Sequence, residues 1–358
     1  MSSTGPETTE SEITESETFD IAPLLGDVFD GLTLSQERAE WVMGHLMDAQ
    51  LSQMQAAALL AALRTRGETV DEIIGFARAM RARAVRVPVR VSGPLLDTCG
   101  TGGTGLSTFN ISTASLFVLA AGGVRVAKHG NRAVTRKSGA ADVLEALGAR
   151  LDGTPEQLAA CIEEVGLAFI FARAFHPAMR FVAPIRADLK ARTIFNSLGP
   201  LTNPAGANRQ LLGVYDPKLT EPLARVLAGL GAERALVVHG SGLDELTVCG
   251  ETRVTELGAD GALRTYTVHP KSLGLGLYDP LELLGGTPEE NAVLIRAILN
   301  NELHGAKRDV VLLNAGAALY LGDKATDLEA GVALADDLLN AGAAAEKLAA
   351  YLEFTQQA

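Results

Sequence analysis

Between residues 20 and 85 the apolar positions repeat every three or four residues, the period of an amphipathic helix. The stripes comprise Ala39, Val42, Met43 and Leu46, then Ala56, Leu59, Leu60 and Leu63, then Ile73, Phe76, Ala77 and Met80. A capping-box sequence precedes each stripe, at Thr33–Gln36, Ser52–Gln55 and Thr69–Glu72. The pattern therefore predicts a small helical domain over residues 20–90.

After residue 90 the pattern changes to short apolar runs that alternate with helical segments. The runs are Val124–Gly130, Leu167–Ala172, Gln210–Asp216 and Arg234–Gly240. Such alternation is typical of βαβ units, in which helices cover both faces of a parallel sheet. The predicted fold class is α/β: the small N-terminal helical domain, then a larger α/β domain over residues 91–358 with a mostly parallel central sheet. We expect a hairpin over Thr252–Val268 and a C-terminal helical region from Pro288.

Two further segments bear on the domain organisation. Residues 1–19 hold Ser, Thr and Glu with almost no large apolar side chain, so ordering them would cost entropy without compensating burial. We expect a disordered acidic tail there. Helical segments within residues 176–200 are a candidate addition to the small domain.

The chain of 358 residues carries 31 Lys and Arg against 43 Asp and Glu, a formal net charge of −12. This charge disfavours broad attachment to nucleic acid or to an anionic membrane surface. The cysteines Cys99, Cys161 and Cys249 are odd in number and lack the spacing of a zinc site, which indicates a reducing, cytoplasmic setting. We expect neither a signal peptide nor a membrane span, because no apolar run approaches roughly 20 residues.

Two turns that follow apolar runs and precede helices carry candidate chemistry. The first is GTGGTG at Gly100–Gly105, and the second is KHGNR at Lys128–Arg132. Glycine permits close backbone approach, and a helix N-terminus attracts anions. A glycine turn alone is weak support, and neither turn matches a Rossmann or Walker motif. Because the second turn concentrates cations in an acidic chain, the two together predict a site for a phosphate ester.

Other polar residues extend this hypothesis less firmly. Asp244 and Glu245 follow an apolar strand, and adjacent carboxylates suit Mg²⁺ beside phosphates, although an ordinary polar loop has the same sequence character. His176 precedes a proline and is expected to be structural. A carboxylate-binding arginine is expected among three that spacing does not separate: Arg180, Arg186 and Arg192.

From about residue 22 to residue 355 the chain resembles the anthranilate phosphoribosyltransferases, members of the nucleoside phosphorylase-like phosphoribosyltransferase family. The shared strings are GTGG, NIST, KHGNR, SGAADVLEALG, FHPAMRFVAPIR, RTIFNSLGPLTNPAG and GLDEL. The resemblance implies a Mg²⁺-dependent transferase of tryptophan biosynthesis. Such an enzyme passes the phosphoribosyl group of 5-phosphoribosyl 1-diphosphate (PRPP) to the amine of anthranilate and releases diphosphate. It also implies a homodimer formed through the helical domain.

The resemblance implies roles for individual residues. The catalytic candidates are Lys128, which would stabilise developing charge, and His129, a proton relay. The anthranilate contacts would come from Gly100, Asn131 and Arg186. The Mg²⁺ ligands would be Ser112, Asp244 and Glu245. The PRPP contacts would come from Gly100, Gly103, Thr104, Thr108, Asn110, Ile111, Ser112, Thr113, Lys128, His129, Gly130, Asn131, Arg132, Arg136 and Ala140.

Three positions depart from the family pattern. Thr104 stands where an aspartate is common, and Arg136 and Ala140 stand where serines are common. Losing an anion at 104 and gaining a cation at 136 both favour binding of a polyanion. We hypothesise that Arg136 takes over part of the phosphate charge that metal and hydroxyl contacts otherwise meet.

Two alternative functions stay open on the sequence alone, a pyrimidine nucleoside phosphorylase and a non-enzymatic nucleic-acid-binding relative of the same fold. The KHGNR string and the acidic pair at 244 and 245 favour PRPP over a nucleoside. The charge of −12 conflicts with the basic groove that nucleic acid requires.

Overall fold

The computed structural model describes residues 20–133 and 137–357, and its first four helices form a bundle. These helices are α1 (Ala22–Phe29), α2 (Gln36–Met47), α3 (Gln53–Arg66) and α4 (Val70–Ala82). Capping boxes at Ser52 and Thr69 begin α3 and α4, as predicted. The predicted acidic tail, residues 1–19, lies outside the described residues.

The start of α2 differs from the prediction, which placed a capping box at Thr33. Ser35 caps this helix instead and accepts the N–H of Arg38 at 3.3 Å. Leu34 is buried, and its N–H donates to the carboxylate of Glu72 at 2.8 Å. Because this bond to α4 fixes the backbone of residue 34 outside the helix, α2 begins only after Ser35.

Beyond the bundle, strands and helices alternate. The strands are β1 (Leu95–Gly100), β2 (Arg125–Gly130), β3 (Leu167–Phe171), β4 (Arg209–Gly213), β5 (Arg234–Gly240), β6 (Thr252–Leu257) and β7 (Leu263–Val268). The helices up to β5 are α5 (Ile111–Ala121), α6 (Ala140–Ala146), α7 (Pro155–Glu164), α8 (Ala172–Phe175), α9 (Met179–Leu189), α10 (Phe195–Leu198) and α11 (Thr220–Gly229). The C-terminal helices are α12 (Pro288–Leu299), α13 (Ala306–Leu321), α14 (Leu328–Asn340) and α15 (Ala343–Gln357).

The seven strands form one sheet in the order β3-β2-β1-β4-β5-β6-β7. The first five are parallel, and the hairpin of β6 and β7 adds two antiparallel strands. The chain moves outward from β1 to β3 and then returns to place β4 on the other side of β1. Such a reversal opens a crevice at the carboxyl ends of the two central strands, where α/β proteins bind ligands. The predicted α/β class is confirmed.

Helices cover both faces of the sheet. Leu211 and Leu236 belong to a hydrophobic cluster with α5 and α13, whereas Leu212 and Val237 belong to a second cluster with α11 and the bundle. Neighbouring strand residues point to opposite faces, so burial on both sides requires continuous apolar runs, and this is the pattern from which the strands were predicted.

Helix α9 packs against α2 and α3, and its residues Val182 and Ile185 lie in the cluster that contains the bundle. These contacts agree with the proposed addition of residues 176–200 to the small domain, while the boundary near residue 90 stays a prediction. Among the residues that the structure describes, no helix has the length and apolar character needed to cross a bilayer.

Candidate active site

A second loop packs closely against the turn that follows β1. Gly102 and Gly103 have φ of +68° and +79°, backbone conformations that favour glycine. A Cβ at Gly100 would lie under 3.0 Å from the carboxylate of Asp244, and a Cβ at Gly213, which ends β4, would overlap the Asp244 backbone. Glycine at these two strand ends therefore lets the loop after β5 reach the crevice.

Asp244 holds the glycine turn in place. Its buried carboxylate accepts hydrogen bonds from the N–H of Gly102 at 2.8 Å and from the hydroxyl of Thr104 at 3.3 Å. The next residue, Glu245, is half-buried and interacts electrostatically with Lys128. The predicted carboxylate pair thus lies beside both predicted turns.

Lys128 lies near the end of β2 with only 2% of its surface exposed. Its Nζ donates to Ser112 Oγ at 3.1 Å and to the backbone carbonyl of Thr98. Burial lowers the pKa of Lys128, and the nearby carboxylates of Asp97 and Glu245 act in the opposite direction. The ammonium group therefore lies between the two turns with mainly neutral hydrogen-bond partners, a position suited to an incoming polyanion.

Asp97 connects β1 to β2 beyond their short run of backbone pairing. Its fully buried carboxylate accepts the backbone N–H of His129 at 3.1 Å and the side-chain amide of Asn203 at 2.8 Å. Burial raises the pKa of Asp97 to about 6, although Asn203, Lys128 and the His129 N–H act against that rise. Asp97 was not predicted as a site residue. The sequence signal that could have identified it is a single aspartate within the apolar strand β1.

Asn110, just before α5, bonds residues just before α6 and in the first turn of α12. Its Nδ2 donates to the carbonyl of Ser138 at 3.3 Å, and its Oδ1 accepts from the Ser138 hydroxyl at 3.1 Å and from Asn291 Nδ2 at 2.9 Å. Thr108, two residues before Asn110 in the chain, is also buried. The buried Oγ1 of Thr113, in the first turn of α5, has no hydrogen-bond partner in the described part of the chain, which suits an external ligand at this helix start.

The second turn runs from the end of β2 to α6. A Cβ at Gly130 would lie under 3.0 Å from the ring of Phe169, so the strand can end there only as glycine. The side-chain oxygen of Asn131 accepts the N–H of Arg132 at 2.8 Å, and Ala140 is the first residue of α6. Both predicted turns therefore open toward the carboxyl ends of the central strands.

Two predicted PRPP residues direct their side chains elsewhere. The exposed guanidinium of Arg132 pairs with Glu145 at 2.6 Å and with Asp142 at 3.1 Å, both on α6, so an anion would have to compete with two carboxylates. Ile111 is 1% exposed in the core, so only its backbone can contact a ligand. Arg136 lies outside the described residues.

His129 and His176 face each other with ring centroids 5.1 Å apart. Both are buried, and His129 Nε2 has no hydrogen-bond partner within residues 20–133 and 137–357, whereas the His176 ring interacts with the backbone of Thr202. Burial lowers the pKa of His129 to about 3 and that of His176 to about 4, so both rings are neutral at pH 7. His176 is thus a candidate site residue that sequence reasoning missed, since only packing brings it beside His129.

Arg186 lies on α9, half-buried, with its guanidinium carbon 5.7 Å from the centroid of the Phe195 ring. Burial lowers its pKa. Among the described residues no ion pair or hydrogen bond engages this guanidinium, and no contact joins it to the glycine turn. A partly desolvated arginine of this kind is suited to bind a carboxylate.

The oxygen ligands predicted for Mg²⁺ fit an ion that is bound together with a phosphorylated ligand. Across the described ranges, no three His, Cys, Asp or Glu side chains come close enough to hold a metal. Ser112 Oγ lies 3.1 Å from Lys128 Nζ, and Glu245, which follows Asp244 in the same loop, interacts electrostatically with Lys128, so the three residues supply hard oxygen atoms to this region. Mg²⁺ commonly takes one or two carboxylates and completes its shell with phosphate oxygens and water.

Comparisons with known proteins agree with this geometry. Residues 22–84 match a model described as glycosyl transferase family, helical bundle domain, and residues 92–345 match the a/b domain of the same family. Anthranilate phosphoribosyltransferases from Rubrobacter xylanophilus and Symbiobacterium thermophilum are each 52% identical to this chain. The alignments cover 91% and 93% of this chain and 95% and 97% of the relatives.

Solved structures give the same result. The crystal structure of anthranilate phosphoribosyltransferase from Thermus thermophilus superposes with a TM-score of 0.88 at 49% identity, covering 93% of this chain and 99% of that one. The enzyme from Saccharomyces cerevisiae in complex with PRPP and Mg superposes with a TM-score of 0.84 at 26% identity, covering 95% of this chain and 99% of that one.

Proposed function

The chain belongs to the glycosyl transferase family that includes the anthranilate phosphoribosyltransferases, and we propose that it transfers the phosphoribosyl group of PRPP to the amine of anthranilate and releases diphosphate. The observation that carries this proposal is the meeting of Lys128, Ser112 and the Asp244–Glu245 loop between two glycine turns. The anthranilate phosphoribosyltransferases among its relatives favour this reaction over nucleoside phosphorolysis and over a nucleic-acid-binding role.

The two turns would hold the PRPP phosphates through the backbone N–H groups of Gly103 and Thr104, the start of α5 at Ser112 and Thr113, and the turn around Asn131. Backbone N–H groups at a helix start bind phosphate without needing a full positive charge. The ammonium group of Lys128, which lies beside Ser112, supplies that charge. Asn110 would hold the start of α5 against the segment before α6, because it bonds Ser138 just before α6 and Asn291 in the first turn of α12.

Ser112, Asp244 and Glu245 would hold Mg²⁺ together with PRPP oxygens. When bound, Mg²⁺ supplies Lewis-acid stabilisation of negative charge on the diphosphate. Asp244 contributes in a second way, since its bonds to Gly102 and Thr104 set the shape of the turn. The Saccharomyces cerevisiae relative was solved in complex with PRPP and Mg, which supports the use of Mg²⁺.

The barrier lies in charge separation at ribose C1. As the bond from C1 to the diphosphate oxygen breaks, the ribose becomes cationic and the diphosphate gains negative charge, which the fixed ammonium of Lys128 stabilises. The aromatic amine of anthranilate is neutral at pH 7 and attacks C1 with its own lone pair, and the nitrogen then loses its extra proton to water or to the substrate's own carboxylate. Strong base catalysis is not needed, and no covalent enzyme intermediate forms.

Arg186, Asn131 and the backbone at Gly100 would orient anthranilate, with the guanidinium of Arg186 binding its carboxylate. His129 and His176 would face the same substrate as neutral rings, since burial holds their pKa values at about 3 and about 4. A neutral imidazole with so low a pKa can accept a hydrogen bond but is a weak base. His129 is thus proposed as an orienting and relaying group, not as the driver of amine deprotonation.

The test follows the fluorescence of anthranilate in the presence of PRPP and Mg²⁺. We expect the signal to fall only when both are present, with stoichiometric release of diphosphate, and to stop falling when EDTA is added. Thymidine and uridine with inorganic phosphate serve as the control substrates. Loss of nucleoside without loss of anthranilate would replace the proposal with phosphorolysis.

Arg136 permits a separate test of the sequence hypothesis. Arg136→Ser restores the side chain that the family commonly has at this position. If the arginine carries part of the phosphate charge, the variant will bind PRPP more weakly and will need more Mg²⁺ for half-maximal turnover. Unchanged PRPP affinity and unchanged Mg²⁺ dependence would remove the hypothesis.

A further inference from the structure

Arg192 makes a contact with the phosphate-binding turn that neither the sequence patterns nor the resemblance assigned. It lies in the connection between α9 and α10, six residues after Arg186. Its Nη2 donates to the backbone carbonyl of Gly103, and a Cβ at Gly103 would collide with the guanidinium. Arg192 and Asp244 thus bond two neighbouring glycines of the turn, Gly103 and Gly102.

A second contact, with Tyr215, holds the guanidinium of Arg192 in position. It stacks on Tyr215 with its carbon 4.0 Å from the ring centroid. Tyr215 is itself fixed to the turn, because its N–H donates to Thr101 Oγ1 at 3.1 Å, and the Thr101 N–H donates to the carbonyl of Gly213 at 2.9 Å. Stacking reduces the side-chain entropy lost when the hydrogen bond forms.

The geometry of one peptide unit gives this contact a consequence. The described peptide bonds are all trans, so the carbonyl of Gly103 and the N–H of Thr104 lie in one plane and point in opposite directions. A carbonyl oxygen that faced a phosphate would repel it. By binding that oxygen, Arg192 holds the carbonyl of Gly103 on one face of the turn. The N–H of Thr104, the positive end of the same peptide, then points to the opposite face.

We propose that Arg192 is a positioning residue that orients the Gly103–Thr104 peptide for PRPP binding and makes the shape of the glycine turn depend on the connection between α9 and α10. The proposal rests on the proposed function of the turn. It assigns no contact between Arg192 and PRPP, and it predicts a defect in PRPP binding without an equal defect in the chemical step.

The experiment compares Arg192→Ala, Arg192→Lys and the parent enzyme in steady-state turnover at saturating Mg²⁺. Loss of a hydrogen bond from a charged, partly exposed donor predicts a rise in the KM for PRPP of roughly tenfold, with kcat within about threefold of the parent. Arg192→Lys keeps one charged donor and should recover part of the PRPP affinity. Arg225→Ala on α11, which removes an exposed arginine far from the turn, is the matched control and should leave both constants unchanged.

A second measurement separates positioning from simple loss of structure. The melting temperature of each variant is recorded with and without PRPP and Mg²⁺. We expect Arg192→Ala to melt like the parent when unliganded and to gain less stability from PRPP. A KM for PRPP within twofold of the parent overturns the proposal. A fall in kcat that equals a rise in the KM of both substrates, together with a lower melting temperature without ligand, also overturns it.

The same data keep the two proposals apart. If PRPP raises the melting temperature of the parent enzyme but the enzyme does not consume anthranilate, the proposed reaction is wrong. The PRPP-dependent shift in melting temperature still tests the role of Arg192. If the parent consumes anthranilate and Arg192→Ala binds PRPP normally, the reaction stands and the role of Arg192 is wrong.

Discussion

At the scale of single residues, Lys128 shows how burial prepares a charge for a ligand. Its ammonium group has a carbonyl and a hydroxyl as direct partners, and burial lowers its pKa. A polyanion placed beside it would restore the charge that desolvation disfavours, so the free energy of that interaction grows as diphosphate becomes more negative in the transition state.

Lys128→Ala is therefore expected to lower kcat/KM for PRPP by about 10² to 10³, the usual loss for a preorganised electrostatic group. Steady-state kinetics with anthranilate fluorescence measures this. Lys324→Ala removes an exposed lysine beside Asp323, which pairs with Arg209 and Arg234 at the amino ends of β4 and β5, and provides the control. Turnover of Lys128→Ala within threefold of the parent would contradict the assigned role.

His176 gives a prediction about pH and stability. Its pKa falls from 6.5 to about 4 in the folded protein because burial disfavours the charged ring. Between these values the unfolded chain binds the proton more readily, so the contribution of His176 to the free energy of unfolding falls as the pH drops from about 6.5 toward 4.

Replacing this ring removes that dependence. Between pH 7.5 and pH 5, the parent should lose about 2 kcal/mol of unfolding free energy relative to His176→Asn. Urea unfolding of both proteins at the two pH values measures the difference, and pairing them cancels the opposite effect of Asp97, whose pKa is raised. Parallel pH profiles for the two proteins would show that His176 is not held neutral by burial.

At the scale of elements, the carboxyl end of β1 depends on glycine for close contact as much as for conformation. Gly100 pairs with Gly213 across β1 and β4, and the Asp244 loop packs directly against both residues. A strand end with ordinary side chains would push this loop outward and move its carboxylates away from Lys128.

Gly100→Ala should therefore weaken PRPP and Mg²⁺ binding together and lower kcat/KM by roughly 10-fold to 100-fold, since displacement of about 1 Å at a reacting centre costs that much. Titrations of PRPP and Mg²⁺ against initial rate measure the effect. The control is Gly26→Ala in α1, where an added Cβ has no neighbour within 4 Å. An unaltered Mg²⁺ requirement in Gly100→Ala would argue against the role of the Asp244 loop.

At the scale of the whole molecule, the reversal of strand order between β1 and β4 places the two turns and the Asp244 loop in one crevice. The bundle contributes to the same fold by covering one face of the sheet through α4 and α11. It also presents exposed apolar side chains, among them Phe29 and Met54, which are 59% and 82% exposed. Because the resemblance implies a homodimer formed through this domain, these exposed side chains are candidates for the contact.

The homodimer proposed through this domain is tested by sedimentation. The parent should sediment with twice the mass of one chain, and Met54→Glu should shift the equilibrium toward the monomer because it buries a charge at the contact. Val293→Glu on α12 places the same charge on an apolar site outside the bundle that is 68% exposed, and it should not shift the equilibrium. A monomeric parent would contradict the proposal.

The sequence by itself determined the features that depend on a few neighbouring residues. Capping boxes fixed the starts of α3 and α4, and continuous apolar runs predicted the strands of a sheet buried on both faces. Glycines at the end of β1 and the cations after β2 predicted a phosphate site. The capping and apolar signals are confirmed because capping and hydrophobic periodicity act over one or two turns of chain, while the phosphate site stays a prediction.

Only the tertiary structure decided which distant groups meet. Gly102 is bonded by Asp244, 142 residues later in the chain, and Asn110 is bonded by Asn291 from 181 residues away. The facing of His129 and His176, the diversion of Arg132 to α6 and the contact of Arg192 with Gly103 have no local signal either. Each arises because the strand order and the packing of helices bring separate segments to one edge of the sheet, and that order is a property of the folded chain as a whole.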